Sequence, residues 1–161
     1  MAVERDTVTF VCTGNTCRSP MAEALLRSAL TKRGQGLEHL QVASFGLAAQ
    51  ADQAASPNSV KTMSRIGLDL GKHRSRLLTQ AQVDRSAVIF GMTESHLAAL
   101  HARFDRLPDF VLLLRDVLPT EVTRDIADPF GGGYRDYEEC RDSMVEAIPA
   151  MVEFLRQNLR P

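Results

Sequence analysis

Apolar positions along the chain gather into four short runs, separated by stretches with helical spacing. Thr7 to Val11 is nearly continuous and rich in β-branched residues, the pattern of a strand buried on both faces. Pro20 to Lys32 then repeats apolar residues at helical intervals and stops near Gly34 and Gly36. Leu40 to Phe45 reads as a second strand. Pro57 to Ile66 reads as a helix, capped by Ser56, with proline in its first turn and Gly67 closing it. Ser86 to Met92 is a third strand, and a helix capped by Thr93 runs to about Phe104. Phe110 to Leu114 is the fourth strand, a loop spans Pro119 to Tyr134, and Arg135 to Asn158 forms a long amphipathic helix that Pro149 kinks or splits. Strands alternating with helices predict an α/β fold: a parallel four-stranded sheet with helices on both faces. No repeat, low-complexity tract or linker interrupts the chain, so one domain over residues 1–161 is expected.

In such sheets ligands bind beyond the carboxyl ends of the strands, beside the topological switch point. Cys12 stands at the end of the first strand, and a short polar loop, Thr13-Gly14-Asn15-Thr16-Cys17, leads to Arg18-Ser19-Pro20 at the start of a helix. That arrangement builds a cradle for an oxyanion, because loop amides and the positive end of the helix dipole converge on one point. Arg18 adds a planar fork able to hold two phosphate oxygens. A cation at a helix N-terminus is unfavourable by itself, and a bound anion compensates it. The same field favours thiolate over thiol, which makes Cys12 a nucleophile rather than an inert buried cysteine. Gly14 and Asn15 supply backbone freedom, and the Ser19 hydroxyl is one residue past the arginine, within reach of the Cys12 sulfur.

Composition changes this picture little. With 161 residues, 44% of them hydrophobic and 24% charged, the chain can build a proper core. A net charge of −1 gives no support to nucleic-acid or anionic-membrane binding. No segment reads as a signal peptide or a membrane span. Three cysteines, an odd number, argue against a disulfide framework and for a reducing, cytoplasmic location. No metal or other cofactor is expected, and Cys12 with Cys17 lacks further zinc ligands at suitable spacing. A monomer is the working expectation.

The string Val11 to Glu23, with its Cys-x5-Arg-Ser-Pro core, resembles the low-molecular-weight protein phosphatase family, and Asp128-Pro129-Phe130 matches the position of that family's general-acid Asp-Pro pair. The resemblance spans essentially the whole chain. It implies a cysteinyl-phosphate intermediate, with Cys12 as nucleophile, the Thr13–Arg18 amides and Arg18 as phosphate ligands, and Asp128 as general acid and then general base. Asp125 is the weaker competitor for that last role. The resemblance also implies a support network of Asn15, Ser19, Ser44 and His73, with His73 structural rather than proton-carrying. Thr16 stands where tyrosine-specific members carry an aliphatic residue. Together with Asp128-Pro129-Phe130-Gly131-Gly132, it is similar to the bacterial protein-arginine phosphatase branch. That branch implies phosphorylated protein substrates and a role opposing a protein-arginine kinase in stress response.

Thr16 and Phe130 are therefore the specificity candidates. A polar threonine suits a guanidinium better than a wide apolar ring does, whereas the Phe130 wall serves either. Cys17 is read two ways: as a redox partner that forms a reversible disulfide with Cys12, or as a small residue packed beneath the loop. The stretch from Gly46 to Ser56, rich in alanine, forms an open rim. Cys140 is a bystander, and His39, His96 and His101 are surface or packing residues without identified partners. A tyrosine phosphatase is the alternative reading. An arsenate reductase would need further redox cysteines, and a silent phosphate-binding adaptor would not need Cys12, Arg18, Ser19 and Asp128 together.

Overall fold

Four parallel strands form the sheet of the computed structural model, which describes residues 3–119 and 122–161. They are β1 (Thr7–Cys12), β2 (Gln41–Gly46), β3 (Ser86–Gly91) and β4 (Phe110–Leu113), in the spatial order β2-β1-β3-β4. Among the described residues the α-helices are α1 (Arg18–Arg33), α2 (Pro57–Ser64), α3 (Gln80–Arg85), α4 (Glu94–Arg103) and α5 (Tyr134–Asn158). The chain leaves β1 towards β2 on one side and returns to β3 on the other. The carboxyl end of β1 is therefore the switch point, where helix-bearing loops diverge and leave a crevice.

Strand periodicity divides the core. Val8 and Phe10 of β1 and Val88 and Phe90 of β3 face α1, α2 and α5, where Met21, Leu26, Met63, Met144 and Met151 are fully buried. Val11 and Ile89 face the opposite way, onto Val83 of α3 and Leu100 of α4. Phe10 and Phe90 stack with centroids 5.6 Å apart, and Phe154 of α5 meets Phe90 edge-on. Helices thus cover both faces, as the alternating pattern predicts.

Three local differences from the sequence expectation have physical causes. Helix α3 was not expected, since six residues are too few to show periodicity. Its signal is local: the Gln82 carboxamide reaches back to accept the Thr79 amide at 2.7 Å, half of a capping box. Helix α2 stops at Ser64, and Gly67 at φ 82° belongs to the turn after it, where the Leu68 amide returns to the Met63 carbonyl at 3.0 Å. Pro149 neither splits α5 nor ends it. Proline removes the bond to the carbonyl four residues back, and both Pro149 and Val145 lie on the solvent-exposed face of α5.

Candidate active site

The loop leaving β1 folds back over the strand ends. Cys12 pairs with Gly46 across β1 and β2, and the amides of Leu47 and Ala48 donate to the carbonyls of Cys12 and Thr13 at 2.9 Å each. Gly46 is required by this closeness: a Cβ there would fall 2.7 Å from the Thr13 carbonyl oxygen and 2.6 Å from the Ala49 Cβ.

Asn15 is the keystone of the loop. It is fully buried and takes the left-handed conformation, φ 57°. Its Nδ2 donates to Ser19 Oγ at 2.8 Å and to Ser44 Oγ at 3.0 Å. Its Oδ1 accepts the Arg76 amide at 2.9 Å, and its carbonyl accepts from His73 Nε2 at 2.7 Å. The two hydroxyl-bearing residues and the histidine singled out with Asn15 in the sequence thus meet around one residue, the serines on its side chain and His73 on its backbone carbonyl. The Arg76 amide was not anticipated, because a backbone donor leaves no mark on residue type.

Cys12 Sγ lies 3.0 Å from Ser19 Oγ and 3.3 Å from the Asn15 amide. Asn15 already fills an acceptor position of Ser19, and the alternative acceptor, the Phe45 carbonyl, is at 3.5 Å. The Ser19 proton is therefore directed at the sulfur. Two donors aimed at Sγ stabilise negative charge there.

A cavity of about 220 Å³ opens above the sulfur. Cys12, Thr13, Gly14 and Thr16 line it from the loop, and Cys17 with Arg18 from the helix start; Asp128 and Phe130 face them. Arg18 is 4% exposed; its Nη1 donates to the Ile126 carbonyl at 2.9 Å and its Nη2 is 3.5 Å from Asp128 Oδ2. Asp128 is half exposed and holds its turn by accepting the Phe130 amide on Oδ1 at 3.0 Å. Phe130, 76% exposed, stands at the mouth. Asp125 borders an adjoining hollow and not this cavity. That hollow, about 520 Å³, and another of about 370 Å³ at the opposite end of the sheet are larger, but neither sets a cysteine beside an arginine.

All three cysteines are free. Cys17 Sγ donates to Ser56 Oγ at 3.4 Å and lies 3.6 Å from Tyr137 Oη, which fits the reading of a residue packed beneath the loop. Burial, then the hydrogen bond with Cys17, pushes the Tyr137 hydroxyl up to about 12. Burial likewise pushes the Cys140 thiol up to about 12, which leaves it a protonated, unreactive group. His39 Nε2 meets the Leu159 carbonyl at 3.0 Å, far from the cavity. His96 is different. It is 4% exposed and its Nε2 sits 3.1 Å from Thr13 Oγ1, a contact the sequence reading missed. The available signal was position alone, three residues after the Thr93 cap.

Known proteins share this architecture. A curated protein-arginine-phosphatase of Bacillus subtilis is 33% identical over 95% of this chain and 99% of its own length. A probable low molecular weight protein-tyrosine-phosphatase of Ralstonia nicotianae is 32% identical over 93% of this chain and 96% of its own. A solved YwlE arginine phosphatase, a serine-for-cysteine mutant whose active-site serine is phosphorylated, superposes with a TM-score of 0.86 at 32% identity, covering 95% of this chain and 97% of that one. The family model for low molecular weight phosphotyrosine protein phosphatases matches residues 7–160. On that match, and on relatives aligned nearly end to end, this chain belongs to the low molecular weight phosphotyrosine protein phosphatase family.

Proposed function

We propose that the protein hydrolyses phosphoarginine on proteins, through a cysteinyl-phosphate on Cys12. The observation that carries this reading is the single cavity in which Cys12, Arg18, Asp128 and Thr16 meet. Arg18 and the loop amides hold the three equatorial oxygens of the phosphoryl group. Cys12 Sγ attacks phosphorus; the P–S bond forms as the P–N bond breaks, and Asp128 gives its proton to the departing guanidine nitrogen. Water then attacks phosphorus, Asp128 takes the water's proton, and the P–S bond breaks to release inorganic phosphate. The leaving thiolate returns to the two donors from Ser19 and Asn15. No step of this route calls on a metal or other cofactor.

The preference for arginine rests on Thr16. Thr16 lines the cavity, and a hydroxyl there offers a planar polar guanidinium a partner that a phenyl ring cannot use. Asp128 can pair with the same guanidinium. Relatives of similar identity are named for arginine and for tyrosine, so the residue rather than the degree of similarity decides. We expect wild-type protein to turn over a phosphoarginine peptide with higher kcat/KM than its phosphotyrosine counterpart. Thr16→Ile should shift the ratio towards phosphotyrosine by about tenfold. Equal or better wild-type turnover of phosphotyrosine would leave a tyrosine phosphatase with an unusual loop threonine.

Asp128→Asn separates acid chemistry from binding. It should lower kcat by about 10²–10³-fold with little change in KM. A release burst from para-nitrophenyl phosphate should survive better than turnover of phosphoarginine, because nitrophenolate leaves without a proton. An unchanged kcat would transfer the role to another group, Asp125 first.

The reading extends to control and location. Cys12 and Cys17 border the same cavity, so a peroxide-class oxidant would join the two sulfurs and thiols would reopen them. Three free cysteines suit a reducing, cytoplasmic setting. No helix among the described residues is long and apolar enough to cross a membrane.

A further inference from the structure

We infer that His96, in its Nε2–H form, is a positioning residue that orients Thr13 and ties the phosphate loop to the loop carrying Asp128. The inference rests on the phosphatase reading of the cavity and names a residue outside the proposed catalytic set.

The tautomer follows from the partners. His96 Nδ1 lies 3.1 Å from the Met92 amide and 3.2 Å from the Thr93 amide. Backbone amides only donate, so Nδ1 carries no proton and the neutral ring holds it on Nε2. Nε2–H then donates to Thr13 Oγ1 at 3.1 Å, across 83 residues of sequence. The Thr13 hydroxyl, used as an acceptor from behind, keeps its own proton to present to the cavity it lines. At the start of α4, Nδ1 already serves the helix by accepting the amide of the N-cap residue Thr93. The second nitrogen is surplus to the helix, and it is aimed at the residue directly after Cys12.

The same ring is joined to the other side of the site. Met92, whose amide His96 accepts, receives the Ile126 amide on its carbonyl at 2.9 Å, and the Ile126 carbonyl receives Arg18 Nη1 at 2.9 Å. One imidazole therefore fixes the backbone from which both the phosphate ligand Arg18 and the Asp128 loop are hung. Protonation would put a donor against two donors and a second cation near Arg18. Burial first, and Arg18 next, hold the ring down to about 4 against the pull of Asp128 and Asp125, so it remains neutral across the working range.

Two substitutions divide the ring's tasks. His96→Asn places an acceptor near the Nδ1 position and removes the donor to Thr13; His96→Gln places an amide donor near the Nε2 position. We expect His96→Asn to lower kcat/KM and inorganic-phosphate affinity by about tenfold with its melting temperature near wild type, and His96→Gln to stay within about threefold. Thr13→Val should reproduce the Asn loss, and the Thr13→Val/His96→Asn double variant should be no worse than either. Long-range ¹H–¹⁵N NMR of wild type should show Nε2–H at neutral pH. An Nδ1–H or charged ring would overturn the inference, as would additive losses or an Asn variant that binds phosphate like wild type. Should wild type fail to hydrolyse any phosphorylated peptide, the phosphatase reading falls. The tautomer and the calorimetric phosphate affinities would still decide the role of His96.

Discussion

Cys12→Ser should remove turnover, lowering kcat by about 10⁵-fold or more, while the phosphate cradle stays assembled. The reason lies in what surrounds the sulfur. Its neighbours are the Ser19 hydroxyl at 3.0 Å and the Asn15 amide at 3.3 Å, both acting as donors. Donors stabilise a thiolate, but neither of these two groups is a base able to deprotonate a hydroxyl. A serine in that place is held by the same two groups and made less nucleophilic by them. Arg18 and the loop amides are untouched, so inorganic phosphate should bind the variant as it binds wild type. Calorimetry for phosphate and stopped-flow release for turnover check the two halves separately. Residual activity above about one per cent of wild type would mean that hydrolysis does not pass through a covalent bond to residue 12.

This prediction draws on the part of the site most legible in the sequence. Cys12 to Ser19 is contiguous, and strand, loop and helix start leave a phosphate cradle few other shapes to take. Asp128 was legible only through the resemblance, since an Asp-Pro pair by itself marks any turn. What escaped notice is what residue type does not encode. The Arg76 amide on Asn15 and the closeness that requires Gly46 are contributions of bare backbone. His96 escaped for another reason: a histidine in the first turn of a surface helix is ordinary until the ring is seen reaching across to Thr13. The fold followed a similar division. The central strands β1 and β3 were legible because burial on both faces leaves an apolar run, whereas the partly buried edge strands β2 and β4 showed through short apolar stretches between helices. Helix α3 was not, because a six-residue helix is defined by its cap and not by a face.

Arg18→Lys should cost nearly as much as Arg18→Ala, about 10³-fold in kcat/KM, although it preserves the charge. The guanidinium works here as a fork with its reach fixed. One nitrogen is committed to the Ile126 carbonyl, and a second lies 3.5 Å from Asp128, a distance too long for a strong hydrogen bond. That second nitrogen is free to turn to a phosphoryl oxygen without breaking anything tight. A lysine ammonium, a point charge on a flexible stem, cannot hold the Ile126 carbonyl and two phosphate oxygens in one plane. Losing the bond to Ile126 also leaves a buried carbonyl unpaired, at a cost of about 1–3 kcal/mol in stability. A cation 4% exposed at a helix N-terminus has only the half-exposed Asp128 carboxylate, at 3.5 Å, to offset it until an anion arrives, so phosphate binding and folding are linked. Saturating phosphate should accordingly raise the melting temperature of wild type and leave Arg18→Ala unmoved. If Arg18→Lys instead keeps wild-type kcat/KM, charge alone holds the phosphoryl group. The planar fork would then be serving the Asp128 loop through Ile126, and the electrostatic work of the transition state would fall to the loop amides.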